Sequence, residues 1–201
     1  MSNEVRGLSA RYLDAKKALF EKKYGFLNEM QRKAVFTVNG PLLVLAGAGT
    51  GKTTLLVNRI SFILKYGNAY LSDIVPAGVS QEYIKELESL LQEDEISEET
   101  LADFAVAPPA PWQILAITFT NKAANEMKTR LTNIVGESAN DVWCGTFHSM
   151  CLRMLRSHSK EAGLDNHFTI YDADDSKKVI TECMKQLNID EKTLTAKTVI
   201  S

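Results

Sequence analysis

The run LLVLAGAGTGKTT, Leu42 to Thr54, constrains this chain more than any other stretch. A short apolar run passes directly into a glycine-rich loop, and the loop opens a helical pattern from Lys52, which is the context a phosphate-binding loop requires. The loop comprises Ala46, Gly47, Ala48, Gly49, Thr50, Gly51, Lys52, Thr53 and Thr54. Gly47, Gly49 and Gly51 allow the backbone to wrap closely around an oxyanion, and the helix that follows turns its N-terminus to the same charge. Lys52 is expected to supply compact positive charge to the β- and γ-phosphates, and the Thr53 hydroxyl to hold magnesium. Ala46 stands where such loops usually begin with glycine. A glycine-rich strand-to-helix turn with no ligand is the plain alternative.

The elements around the loop predict an α/β fold. Apolar runs at Leu42–Leu45, Ile114–Phe119, Val142–Cys144 and Phe168–Tyr171 read as buried strands. Helical patterns follow the first three, over Lys52–Lys65, Lys122–Ile134 and from Phe147 to Leu155. Alternation of strand and helix implies parallel strands joined by crossovers, hence an open sheet flanked by helices. Beyond Asp172, Val179, Ile180, Cys183, Met184 and Leu187 form one more amphipathic helix, the start of a helical unit.

Composition excludes several classes. With 45% apolar and 24% charged residues, the chain is neither disordered, collagen-like nor a coiled coil. The uncharged stretch Ala34 to Gly51, as long as any in the chain, contains Asn39, Pro41 and four glycines, so it is no clean membrane span. The N-terminus lacks the apolar core of a secretory signal, and the chain reads as cytoplasmic. Cys144, Cys151 and Cys183 are an odd count and read as buried thiols in a reducing compartment. A zinc site at Cys144, His148 and Cys151 lacks an evident fourth ligand.

The net charge of −2 is unevenly spread. Residues 68–111 hold ten acidic side chains and one base, Lys85, so this segment carries −9 and the remainder +7. Ser80 as a cap, and Tyr83, Ile84, Leu87, Leu90 and Leu91 at helical spacing, mark an inserted helical excursion that ends in a proline-rich run. It is expected to be peripheral and partly mobile, with an autoinhibitory DNA mimic as the alternative. Without it, the basic remainder suits a polyanionic partner.

A phosphate loop implies a nucleoside triphosphate and magnesium but does not choose among kinase, GTPase, ATPase and motor. Upstream, Gln31 has an amide that can accept from adenine N6 and donate to N7. Three blocks together decide: LNEMQRKAV with AGAGTGKTT, ILAITFTNKAANEMKTRL at 114–131, and VWCGTFHSMCLRML at 142–155. In order and placement they closely resemble the UvrD/Rep/PcrA family of superfamily 1 DNA helicases.

The resemblance implies ATP-driven translocation on single-stranded DNA, with unwinding at duplex junctions in the 3′ to 5′ direction. It assigns Gln31 to adenine, Lys52 and Thr53 to phosphate and magnesium, and Arg59 to the neighbourhood of the nucleotide. Thr118, Phe119, Thr120, Asn121 and Lys122, with Thr146, Phe147 and His148, would line the DNA path. Phe119 offers a stacking face to any base, whereas core packing is the ordinary fate of an aromatic after an apolar strand.

The implied organisation is an N-terminal helical extension (1–25), a first, incomplete RecA-like ATP-binding domain (26–172) containing the insertion, and the start of a helical subdomain (173–201). The strand ending in Asp and Glu that the family uses for hydrolysis is missing: Asp172 follows an apolar run, but Ala173 stands where the glutamate belongs. The chain therefore reads as an N-terminal portion lacking the remaining helicase domains. A nucleotide kinase would share the loop without needing the TFTN and TFH blocks, and a binding-only protein without turnover is the third reading.

Overall fold

The computed structural model describes residues 3–47, 49–165, 167–190 and 194–200. The chain divides into two compact units, residues 1–150 and 151–201.

In the first unit, β1 (Leu115–Thr118) and β2 (Trp143–Thr146) pair in parallel, with Leu115 opposite Trp143 and Thr118 opposite Thr146. Helix α6 (Asn121–Val135) and a 3-10 turn (Gly136–Asp141) cross over between them, as parallel neighbours require. The Thr120 hydroxyl caps α6 by accepting from the Ala123 amide at 3.2 Å. Ala124, Met127 and Leu131 repeat along the buried face of α6. With Ala116, Val142 and two residues of α3 (Lys52–Tyr66), Val57 and Ile60, α6 closes one apolar core.

Two expected strands are absent. Leu42–Leu45 forms no strand, and Leu43 and Leu45 are 82% and 87% exposed. Phe168–Tyr171 is likewise outside any strand. A strand exists only where a neighbour completes its hydrogen-bond ladder, and among the described residues β1 and β2 pair with each other alone. Leu42–Leu45 stays an apolar segment outside the sheet, with all four side chains exposed. The architecture is thus mixed α/β, mostly helical, with a small two-stranded parallel sheet.

The opposite face of α3 enters a second core. Leu55, Phe62 and Tyr66 pack with Val35 and Phe36 of α2 (Glu29–Phe36), and with Tyr12, Leu19, Phe20 and Tyr24 of α1 (Asn3–Lys23). Residues 68–111 complete it: Ile84 and Leu87 of α4 (Gln81–Leu90), Leu101 of α5 (Glu98–Ala102) and Phe104 are all buried. The insertion is a packed helical module, not a loose excursion, because each such apolar side chain contributes roughly 1.5–3 kcal/mol when fully buried.

Polar contacts set its register on α1. Arg11 donates twice to the Glu88 carboxylate, at 2.8 and 2.9 Å. Lys16, 2% exposed, donates to the Ser72 carbonyl at 2.5 Å. Lys22 donates to the carbonyls of Leu91, at 2.7 Å, and Glu93, and Lys23 donates to that of Ile96 at 2.8 Å. Burial lowers the Lys16 pKa from its usual 10.5.

The neck of the module is a backbone crossing. Asn68 N donates to Val106 O at 2.9 Å, and Val106 N to Tyr66 O at 3.0 Å. Gly67 sits there at φ 57°, where an added Cβ would lie 2.1 Å from Val106 O. Only glycine fits so close an approach.

Helix α7 (Phe147–Ser157) follows β2 and continues into the second unit, where α8 (Ala173–Gln186) packs with α9 (Ala196–Ile200). Asp172, the acid that tempts as a catalytic carboxylate, caps α8 by accepting from the Asp175 amide at 2.7 Å. Among the described residues no helix is long and apolar enough to cross a membrane.

Candidate nucleotide site and DNA-facing surface

The phosphate loop leads into α3 as the glycine spacing requires. Gly49 and Gly51 adopt positive φ, 75° and 85°, and Gly51 is the left-handed residue from which the helix starts. No side chain caps that start. The first-turn amides of α3 therefore lack the acceptor that a Ser or Asn cap would supply, and a phosphate oxygen fits that chemistry. The Lys52 ammonium folds back over the loop, donating to Gly47 O at 2.5 Å and Ala46 O at 3.2 Å. Thr50 Oγ1 donates to Gly47 O at 2.8 Å, which closes the loop on itself. Thr53 and Thr54 are half-buried in the first turn of α3. Ala48, expected within the loop, lies outside the described residues.

A cavity of about 660 Å³ opens between α2 and this loop, bounded by Asn28, Gln31 and Ala34 on one side and Leu42–Ala46 on the other. Gln31 lies on its wall with both ends of its amide engaged. Its oxygen accepts from the Asn28 amide at 3.1 Å, its nitrogen donates to Thr50 O at 3.3 Å, and Asn28 Oδ1 accepts from Gln31 N at 2.9 Å. The first and last of these form a capping box at the start of α2. Asn28 is a site residue that the sequence analysis passes over, although an Asn three residues before a Gln is the signature of such a box.

Arg59 takes a place behind this wall. Its guanidinium donates to the carbonyls of Ala34 and Thr37, tying α3 to the C-terminal end of α2. Burial lowers its pKa. Its contacts are thus to backbone carbonyls of α2, at the opposite end from Gln31.

The TFTN and TFH blocks come together because they end adjacent strands in the same register. Thr118 pairs opposite Thr146, so Phe119 and Phe147 leave the sheet side by side in sequence register. Neither is core: Phe119 is 105% exposed and Phe147 is 61% exposed. Thr118 Oγ1 donates to Thr120 O at 3.0 Å, Thr120 caps α6, and Asn121 and Lys122 stand exposed on its first turn. Thr146 Oγ1 bonds Ser149 Oγ at 3.1 Å, and His148 is exposed beside Phe147. A second cavity, about 320 Å³, has Lys52 and Thr53 on one wall and Thr118, Phe119 and Thr120 on the other. Beside it Arg130 pairs with Glu126 at 2.6 Å and reaches Thr54 Oγ1 at 3.5 Å.

The cysteines are free, but none is the fully buried thiol expected: Cys144 and Cys151 are half-buried and Cys183 is exposed. Cys144 Sγ faces Ala124 O at 3.5 Å, and burial pushes its thiol pKa up. Among the described residues no three His, Cys, Asp or Glu side chains gather as a metal site.

Residues 27–201 match the family model described as the UvrD/REP helicase N-terminal domain. The chain is 40% identical over 166 residues to a protein of Staphylococcus epidermidis named ATP-dependent DNA helicase PcrA. It is 38% identical over 166 residues to the protein of that name from Bacillus subtilis, and 39% to that of Staphylococcus aureus. Each match covers 83% of this chain and 17% of the relative's length.

Proposed function

This chain belongs to the UvrD/REP helicase family, and we propose that it forms the ATP-binding portion of an ATP-dependent helicase that moves 3′ to 5′ along single-stranded DNA. The observation that carries this reading is the shared cavity. Lys52 and Thr53 form one wall, and the Thr118–Thr120 segment, with Phe119 exposed, forms the other. One ligand's phosphates and another's bases would meet across about 320 Å³.

The donor set fits magnesium-bound ATP. A cation, a hydroxyl and uncapped helix amides converge on the loop, and these are the groups a polyphosphate needs. Lys52 would exchange its two loop carbonyls for phosphate oxygens, since charge-assisted pairing is the stronger bond. Thr53 would offer its hydroxyl to the metal, which when bound neutralises phosphate charge. Gln31 would read adenine. Phe119 and Phe147 would stack bases, and Asn121, Lys122, Thr146 and His148 would hold backbone without reading sequence.

In the parent, Leu42–Leu45 becomes an inner strand of a RecA-like sheet. Its two-faced apolar character suits a strand covered on both sides. The carboxylate that would activate water is not supplied by Asp172, whose oxygen is occupied as a helix cap. The 201 residues alone should bind nucleotide and turn it over negligibly.

Titration with a fluorescent ATP analogue and magnesium tests the assignment. Saturable binding lost in Lys52→Ala supports it. DNA-stimulated hydrolysis by these 201 residues at rates usual for enzymes, roughly 1 to 1,000 per second, would refute the inert-portion reading.

A further inference from the structure

The nucleotide site stands on two helices, and both rest on a side chain that precedes the family-matched span. Phe20 of α1 is 0% exposed. Its ring lies 6.5 Å from Phe36 of α2, 5.5 Å from Phe62 and 5.3 Å from Tyr66 of α3. On its other side it lies 6.5 Å from Tyr70 and 6.1 Å from Phe104, which belong to the insertion. These separations are those of edge-on aromatic contacts, which favour particular ring orientations over a fluid cluster.

We propose that α1 and the insertion are a brace for the nucleotide site, and that Phe20 is the positioning residue through which the brace acts. The proposal rests on the reading that residues 46–54 bind nucleotide. Helix α2 carries Gln31 near its N-terminal end, and α3 carries Lys52 at its own. Contacts at different heights hold α2 to α3 and its loop, among them the direct meeting of Phe36 and Phe62 at 5.3 Å, on which Phe20 packs. At the mouth, Gln31 Nε2 donates to Thr50 O across 3.3 Å. Midway, Arg59 holds the carbonyls of Ala34 and Thr37. At the base, Phe20 touches Phe36 and Phe62 together.

The base governs the mouth by leverage. Five residues separate Phe36 from Gln31, roughly 7.5 Å of helix, so a tilt of about 10° at the base moves Gln31 by about 1 Å. A bond of 3.3 Å between exposed groups does not resist such a tilt, because water replaces either partner at little loss. The brace itself is firm. Lys16, Lys22 and Lys23 grip backbone carbonyls of the insertion, so beside the Arg11–Glu88 pair its register rests on contacts to backbone that involve no carboxylate. This gives the insertion a role its charge does not suggest: it closes the core from behind and keeps α1 pressed against α2 and α3.

Variants of the full chain test this by three measurements: affinity for a fluorescent ATP analogue with magnesium, amide exchange of residues 28–36, and melting temperature. Phe20→Ala is expected to weaken nucleotide binding about tenfold, since a misplacement near 1 Å is felt strongly at a preorganised site. Its exchange should accelerate at the first turn of α2. Phe20→Leu, which keeps most of the volume, should stay within about threefold of the parent. Leu131→Ala empties a buried place on α6 in the other core, outside α1 and the insertion, and should lower the melting temperature while leaving affinity within about twofold.

A folded Phe20→Ala with unchanged affinity and exchange overturns the brace. So does a Leu131→Ala variant that loses affinity as Phe20→Ala does at matched stability. Should Phe20→Ala not fold, Phe20→Leu decides through selective exchange at residues 28–36, and uniform exchange there counts against the proposal. A parent chain that binds no nucleotide overturns the proposed function instead, while the exchange data still decide whether Phe20 positions α2.

Discussion

Gln31 donates its side-chain amide to the carbonyl oxygen of Thr50 at 3.3 Å, and this contact joins the start of α2 to the glycine-rich loop. The oxygen of the same amide is held by the Asn28 backbone at 3.1 Å. Adenine needs one acceptor and one donor from a glutamine, so a nucleotide must exchange both bonds to be read.

Gln31→Ala should therefore lose base discrimination rather than all binding. Affinity for ATP is expected to fall to that for GTP, and stability to drop by about 0.5–1.5 kcal/mol as exposed hydrogen bonds are lost. Competition between the two nucleotides for a labelled analogue reads the effect. Retained preference for ATP would remove Gln31 from the adenine site.

Phe119→Ala separates stacking from packing. A side chain at 105% exposure has no core to leave, so stability should change by no more than the roughly 0.5 kcal/mol usual for surface changes. Affinity for single-stranded oligonucleotides should fall about five- to hundredfold, the equivalent of roughly 1–3 kcal/mol for one stacked base. Undiminished DNA affinity would take Phe119 out of the DNA path.

Two glycines should respond in opposite directions to the same substitution. At Gly67 a Cβ would stand 2.1 Å from Val106 O with φ at 57°, so Gly67→Ala should cost on the order of 1–3 kcal/mol or more and loosen the insertion neck. Gly7, on α1, has nothing within 4 Å of a Cβ, and Gly7→Ala should stabilise by about 0.5–1 kcal/mol. Denaturant melts of both variants check the pair, and equal effects would contradict the described neck.

Alkaline pH should unfold this protein through its aromatic core. Burial raises the phenol pKa values of Tyr12, Tyr66 and Tyr70 from 10.0 to about 12, raises that of Tyr83, and carries that of Tyr24 higher still. Nearby carboxylates add to it, with the Tyr70 hydroxyl donating to Glu21 at 2.5 Å. A folded pKa above the unfolded one means stability is whole below about pH 10 and is lost as pH rises through about 12. Lys16 acts in the opposite sense: its buried ammonium is a penalty at neutral pH that fades as pH rises toward 10.5. Phenolate absorbance of native protein should lag that of denatured protein. Coincident titration curves would mean that these rings are not buried.

Much of the candidate site is legible in the sequence because it is local. Positive φ at Gly49 and Gly51, the start of α3 at Lys52, the caps at Ser80 and Thr120, and the β1–α6–β2 crossover each depend on residues within a turn or two of one another. A capping hydroxyl three residues from its amide needs no distant partner. The same locality makes the spacing of the TFTN and TFH blocks readable. Their adjacency is not, since it comes from the pairing of Thr118 with Thr146 across a crossover.

The sequence by itself determined the glycine-rich loop that opens α3, the family, and the two strands whose partners lie nearby in the chain. Tertiary structure alone decided the rest. Leu42–Leu45 has the composition of a strand and is not one here, because a helix satisfies its own backbone while a strand depends on hydrogen bonds from another segment. Asp172 resembles a catalytic carboxylate on paper, yet it starts α8, and the clasp of Arg59 on the end of α2 is visible only in the fold. Phe20 and the insertion stand about fifty residues or more apart in sequence, and only folding brings α1, α2, α3 and Phe104 around one ring. Such contacts leave no periodic trace, since each ring needs only to be apolar wherever the other elements happen to converge.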